Sequence, residues 1–312
     1  MYNIKKLFNE FEDYDLYFVN SSLSALFIIL SYLKKINRIT DKNSQILVSR
    51  YLPSEYYNTI NHVAFPSTFQ SKNIEGMVVF HQNGFAQNMD EILNAVKDGN
   101  LFLIEDCSES LKSFSNKKRL GTFSSFSIFD LSRYFPTVYG GLIFSREKYF
   151  SEYISNLVQK SPKLISNIYY ISNYINKKFP RVDFFKTIKT LFDNSAQLCF
   201  ELNYKQKQRV LTSIANNKNY RDFKKILKII KNNYLSNFII NENDYMPISL
   251  IIKKDGLDRK LFAELKPLCN PKILNFDINR NILNPKFIET YEINLFQNSN
   301  KKVLEKIGAI LR

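Results

Sequence analysis

Apolar and polar positions fall into blocks along the first half of the chain. Ser22 to Lys35 (SLSALFIILSYLKK) is apolar almost throughout and begins on serine, which predicts a helix with a Ser cap. Five short runs rich in Val, Ile, Leu and Phe follow: Ile46–Leu52, Gly76–Gln82, Leu101–Cys107, Ser124–Leu131 and Gly140–Ser145. Each reads as a strand. Between the second and third, NMDEILNAVKD places Met89, Ile92 and Val96 on one side of a helix, with Asn88 as its cap. Continuous apolar strands separated by helices are covered on both faces, as in a parallel sheet. The predicted fold class is therefore α/β, a mostly parallel sheet sandwiched by helices over residues 1–150.

Strand signals stop at Arg146 and stay absent to about Ile230. REKYFSEYISNLVQK, LISNIYYISNYINKK, FFKTIKTLFDNSAQL and NYRDFKKILKIIKNNYL all read as helices, with Pro162 and Pro180 between them. Their Tyr and Phe fit a core or a subunit interface better than a membrane-facing stripe. From Tyr245 the pattern changes to a strand (YMPISLIIKK), a helix (GLDRKLFAELK) and a terminal helix (KKVLEKIGAILR). Three regions result: a large α/β domain at 1–150, a basic helical segment at 151–232 and a small α+β C-terminal domain at 233–312.

Charge sharpens this division. The chain of 312 residues carries a net +15. Residues 1–150 hold 16 basic and 15 acidic side chains, whereas 151–312 hold 28 and 14, and 160–231 alone hold 16 and 4. Such a stretch is either a solvated basic face or a contact for an anionic membrane or another polyanion. No recognised nucleic-acid motif accompanies it, and no nucleic-acid partner is predicted. Three cysteines without a CxxC pair argue against a disulfide framework, and with only two histidines no metal site is expected. The best apolar run, Ser24–Leu33, is too short to span a bilayer. The first residues lack the features of a signal peptide. The expected location is cytoplasmic, with the basic stretch as a means of attachment to the inner membrane surface.

Ligands of an open parallel sheet sit at the carboxyl ends of its strands. Asp106 ends the run LFLIED, where a carboxylate can hold a protonated ring nitrogen, ligate a metal or cap the next helix. Glu109 shares that mouth.

The order of segments around Asp106 resembles that of the DegT-type nucleotide-sugar aminotransferases, which belong to the fold-type I pyridoxal phosphate (PLP) superfamily. The stretches that carry the resemblance are NSSLSAL (Asn20–Leu26), VSRYLPSEYYNTI (Val48–Ile60), FHQNG with NMDEI, and IEDCSES (Ile104–Ser110). GTFSS (Gly121–Ser125) and IFDLSRYFPTVYGGLIFS (Ile128–Ser145) continue the series. The resemblance implies a cofactor-binding α/β domain, a small C-terminal domain and a site built between two subunits. The partner would be a second copy or, in a heterodimer, an intact paralogue. A nucleotide-sugar ligand is implied as well.

Carried over residue by residue, the family site changes character. The lysine that would form an aldimine with PLP falls on Arg133 when Pro136 and Gly140–Gly141 are matched to the motif. Counted from Phe126–Ser127 it falls on Ser132. Arginine stays protonated and forms no productive Schiff base. The phosphate-binding serine becomes Asp130, an anion facing an anion, although the helix start at Ser21 and Ser22 still offers hydroxyls and N–H groups. Pro53 stands where the ring-stacking aromatic belongs, and Tyr51 lies two residues earlier. Asp106 keeps the position that holds the pyridine nitrogen, and Glu109 lies beside it. The resemblance thus implies no covalent cofactor, with PLP or its aminated form PMP bound non-covalently if at all. Two readings stay open: a lysine-free, PMP-dependent or cofactor-independent sugar-modifying enzyme, and a catalytically inactive partner or binding subunit in surface-polysaccharide biosynthesis.

The purified protein is expected to be colourless and to give no transamination with PLP and glutamate. A yellow species fixed to one lysine by borohydride would overturn this expectation.

Overall fold

The computed structural model describes residues 4, 7–135, 137–157, 199–215, 248–253, 259–269 and 271–294, with single positions at 167, 168, 170, 171, 175 and 306. Most of the expected helices between 158 and 232 lie outside the described residues, as does most of the terminal helix.

The chain enters through β1 (Asp15–Val19) and α1 (Ser22–Lys35), then β2 (Gln45–Val48), α2 (Ser54–Asn61), β3 (Phe65–Ser67) and β4 (Ile74–Phe80). It continues with α3 (Met89–Asp98), β5 (Phe102–Asp106), the short hairpin β6–β7 (Phe114–Ser115, Lys118–Arg119), β8 (Phe126–Asp130) and β9 (Gly141–Ser145). One seven-stranded sheet takes the order β1-β9-β8-β5-β4-β2-β3. β8, β5, β4, β2 and β3 pair in parallel. β9 runs antiparallel to β8 and to β1. The α/β reading holds, with one reversed strand that periodicity alone does not show.

Every residue of β5, β8 and β9 is buried, as expected of strands covered on both faces. α1 lays Leu26, Ile29, Leu30 and Leu33 into the same core, and Lys34 and Lys35 sit at its carboxyl end, where cations are favoured. Ahead of β1, the rings of Phe8 and Phe11 close on Phe129 and Phe144 with centroids 4.4–5.5 Å apart.

After α4 (Phe150–Leu157) and α5 (Tyr204–Ala215), a second sheet forms from β10 (Ser249–Lys253), β11 (Lys272–Asp277) and β12 (Phe287–Asn294). All its pairings are antiparallel, in the order β10-β12-β11. α6 (Arg259–Cys269) precedes β11. β10 and α6 match the expected strand and helix, whereas β11 and β12 have no counterpart in the sequence reading. Phe85 joins the two sheets by packing with Ile251, Leu274 and Phe276.

Local departures have local causes. The strand expected over Ile46–Leu52 ends at Val48, because Tyr51 takes a left-handed φ of 60°. The cap of α1 is Ser21, whose hydroxyl accepts the Ser24 N–H at 3.1 Å. Asn88 does precede α3, but its side-chain amide donates to Glu91 at 2.6 Å instead of accepting from the helix.

The most consequential buried group is Glu105, fully enclosed near the end of the central strand β5. Its carboxylate accepts the N–H groups of Gly121, Phe123 and Ser124 at 2.7, 2.7 and 2.8 Å. Gly121 turns there with φ +90°, and a Cβ would press on the Phe11 and Phe129 rings at 2.9 Å. An amide in place of the carboxylate brings donors to a spot that needs acceptors. Glu105→Gln should therefore cost about 3 kcal/mol or more, read as a lower urea midpoint. The exposed control Glu152→Gln should change stability by less than about 0.5 kcal/mol.

Candidate active site

Four neighbouring parallel strands end on the same side of the sheet, and the segments after them wall one cavity. β2 leads into Ser49–Pro53, β4 into Gln82 and Asn83, β5 into Glu109, and β8 into Arg133. Lys272, Leu274 and Asp277 of β11, with Phe287 and Glu292 of β12, close it from the second sheet. The enclosed volume is about 250 Å³. This is where an open parallel sheet places its ligand.

The turn after β4 is pinned from both sides. Asn83 has a left-handed φ of 53°, and its N–H donates to Glu109 Oε2 at 2.9 Å. Gln82 Nε2 reaches the carbonyl of Asn275 at 3.1 Å. Glu109 Oε1 in turn lies 3.9 Å from a guanidinium nitrogen of Arg133. The pair is too long for a hydrogen bond, and Arg133 keeps 44% of its side chain exposed. The cleft walls disfavour charge on Arg133, but Glu109 and Asp130 outweigh them, so its pKa is raised and the cation persists. Burial pushes the Glu109 carboxyl above its ordinary range, while Arg133 and the Asn83 N–H pull against this.

Of the residues singled out in the sequence, Tyr51, Glu109 and Arg133 meet in this cavity. Tyr51 stands at the rim, 58% exposed, edge-on to the Phe287 ring at 4.9 Å. Of the two positions left open for the family lysine, Arg133 lines the cavity. Ser132 does not; its N–H caps onto Asp130 at 2.8 Å.

Asp106 lies outside the cavity wall and is fully buried. Its Oδ1 accepts the Ser108 N–H at 2.9 Å, and its Oδ2 meets no donor at hydrogen-bonding geometry. The buried phenol of Tyr56 lies nearby, with the hydroxyl 3.4 Å from Ser108 Oγ. Ser21, Ser22 and Asp130 form a separate group at the start of α1, where Ser22 Oγ donates to Asp130 Oδ2 at 3.3 Å.

Among the described residues, His81, Glu105 and Cys107 bring potential metal-binding atoms within 4.8 Å of one another. Glu105 is already bound by the 121–124 loop, His81 Nδ1 accepts the Gln87 N–H at 3.2 Å, and burial pushes the Cys107 thiol up. An ion there would have to displace these bonds.

Residues 60–167 match the model of the DegT/DnrJ/EryC1/StrS aminotransferase family. The described fold is similar to that of solved structures of such aminotransferases and of a related dehydratase. A DegT DnrJ EryC1 StrS aminotransferase from Brucella abortus aligns with 99% of this chain and 88% of its own, at 11% identity and a TM-score of 0.59. The E. coli GDP-4-keto-6-deoxy-D-mannose-3-dehydratase, solved with hydrated PLP, aligns over 99% and 90% at 13% identity and a TM-score of 0.59. Helicobacter pylori PseC, an aminotransferase of pseudoaminic acid biosynthesis, aligns over 96% and 85% at 14% identity and a TM-score of 0.55. The α/β architecture and its resemblance to PLP-dependent transferases of fold type I are thereby established.

Sequence reasoning missed Arg50, Asn83 and Gln87 in this cavity, and the whole wall from β11 and β12. For Asn83 a signal existed, because it follows the carboxyl end of a predicted strand, whereas Arg50 lies inside the strand expected over Ile46–Leu52. The β11–β12 wall had none, since those strands were not recognised.

Burial raises the Asp106 carboxyl above the ordinary Asp range; the Ser108 hydrogen bonds, Tyr56 and His81 oppose it. As pH rises through about 4, the unfolded chain loses this proton first. The unfolded state then binds fewer protons than the folded one, so this group's contribution to stability falls with rising pH until its folded pKa is passed. Asp106→Asn removes that loss. Its melting temperature should gain on the native protein from about pH 4 toward neutrality. A gap that is constant, or that opens toward acid, would contradict this assignment.

Proposed function

We propose that this chain is a DegT-type protein of nucleotide-sugar or surface-polysaccharide biosynthesis that binds a sugar-bearing ligand and does not perform lysine-dependent transamination. One observation carries the reading. Arg50 Nε, Asn83 Nδ2 and Gln87 Oε1 are buried polar atoms without a hydrogen-bond partner, and all three belong to residues that wall the cavity. An unmet buried polar group costs about 1–3 kcal/mol. As placed, these atoms are closed to solvent; turned into the cavity, two donors and an acceptor are what sugar hydroxyls, which both donate and accept, satisfy. Arg133 supplies an accessible, permanent cation for an anionic group of the ligand, such as a diphosphate.

The residues present do not fit a phosphorylated pyridine cofactor. Arg133 stands in place of the lysine, Asp106 is enclosed away from the cavity walls, and Asp130 already holds the hydroxyl of Ser22. A reaction in this cavity would proceed without PLP or PMP. One of the relatives named above, the E. coli GDP-4-keto-6-deoxy-D-mannose-3-dehydratase, has a nucleotide sugar in its description, and that supports a sugar ligand here.

A second reading, a cofactor-independent sugar-modifying enzyme, draws on Glu109. A carboxyl in the cavity whose pKa is raised by burial is suited to general acid or base work. The exposed rings of Phe65 and Phe69 also suit a subunit interface. A homodimer, or a heterodimer with an intact paralogue, belongs to the same proposal.

Calorimetric titration with UDP- and GDP-sugars should show saturable binding by the native protein. Arg133→Ala should weaken it about tenfold or more, the equivalent of one charge-assisted hydrogen bond. If neither class of sugar nucleotide binds, or if the variant binds as tightly as the native protein, the reading fails. Turnover of a bound sugar that is lost in Glu109→Gln would favour the enzyme over the binding subunit.

A further inference from the structure

The first turn of α1 faces a carboxylate of its own chain. Asp130 is 9% exposed. Its Oδ2 accepts from Ser22 Oγ at 3.3 Å, and its Oδ1 accepts the N–H of Ser132 at 2.8 Å. Glycines seal the other side. A Cβ at Gly140 would stand 2.1 Å from Asp130 Oδ1, and one at Gly141 would stand 2.3 Å from the Ser21 carbonyl oxygen. The backbone of the pair therefore closes against both the carboxylate and the helix start.

A helix start carries partial positive charge and N–H groups with no intrahelical partner, and it favours an anion. Here the anion is tethered, 108 residues from Ser22 along the chain. It is also fixed in place, because Asp130 is the last residue of β8 and the cap of the turn that follows. At the other end of the region the phenol of Tyr56, a wall of the cavity, reaches Ser108 beside Asp106.

We infer that Asp130 is a built-in anion occupying the place of an external phosphate at the start of α1, so that the native chain is closed there to phosphate-bearing cofactors. Exclusion has two parts: like charge, and the lack of room beside Gly140. The sugar cavity is a separate matter, because Asp130 is not among its walls.

The test is a titration of the native protein and two variants with inorganic phosphate and with pyridoxal 5′-phosphate, followed by calorimetry and phosphorus NMR. The native protein should show no saturable binding of either probe. Asp130→Ser removes the charge, makes room and leaves a hydroxyl, and it should raise phosphate affinity by about tenfold or more. Asp130→Asn keeps the acceptor for the Ser132 N–H, so the turn stays capped, and its gain should be smaller but of the same sign. Native protein that binds pyridoxal phosphate with a shifted phosphorus resonance, displaced by excess inorganic phosphate, would overturn the inference. So would folded variants whose phosphate affinity equals that of the native protein. Sugar-nucleotide titration is read separately, so failure of either proposal leaves the other standing.

Discussion

A single buried carboxylate organises the centre of this molecule. Glu105 lies in β5 with no access to water, and three backbone N–H groups of the 121–124 loop converge on it. Burying a carboxylate is costly unless it is well bonded. These donors satisfy it, and they in turn have no better acceptor. The loop so held delivers the chain into β8 in parallel register with β5, Ile104 opposite Phe126. Everything that β8 carries, Asp130 at its end and Arg133 in the turn beyond, inherits its position from that bond set. His81 Nε2, 3.6 Å from Glu105 Oε2, brings the end of β4 to the same centre.

Successive side chains of a strand face opposite ways, so Glu105 and Asp106 divide the labour. One secures the loop that feeds β8. The other faces Tyr56 and Ser108. The segments beyond these strands then arrange charges loosely. Arg133 and Glu109 are close enough to influence each other's protonation and too far apart to satisfy each other. A site held in that state has interactions left to give to a ligand, which distinguishes it from the well-bonded carboxylate of Glu105.

The sheet was legible in the sequence where burial on both faces wrote itself as unbroken apolar runs. β5, β8 and β9 were placed to within a residue or two for that reason. α2 was not, because SEYYNTIN is short and its buried Tyr56, Thr59 and Ile60 make little contrast with its neighbours. Tyr51, Glu109 and Arg133 were found because they sit near the ends of clear strands or on matched motifs. Arg50, Asn83 and Gln87 were not, because polar residues in loops are ordinarily exposed. Their burial depends on β11 and β12, distant in sequence and alternating in character. The direct bond between Ser22 and Asp130 lay beyond sequence reasoning too; the charge conflict was visible, its resolution by internal pairing was not.

The far wall of the cavity has a consequence for how the protein comes into being. Gln82 meets Asn275 across a separation of 193 residues, and the remaining β11–β12 wall is as remote. Contacts so non-local form late, after loop-closure entropy has been overcome. On a ribosome the parallel sheet can assemble long before its closing wall has been synthesised. Until then Arg50, Asn83 and Gln87 remain hydrated at the surface of a half-built protein. The cavity is thus the last part of the fold to exist, and a ligand able to bridge both sheets would act on maturation as well as on the finished molecule.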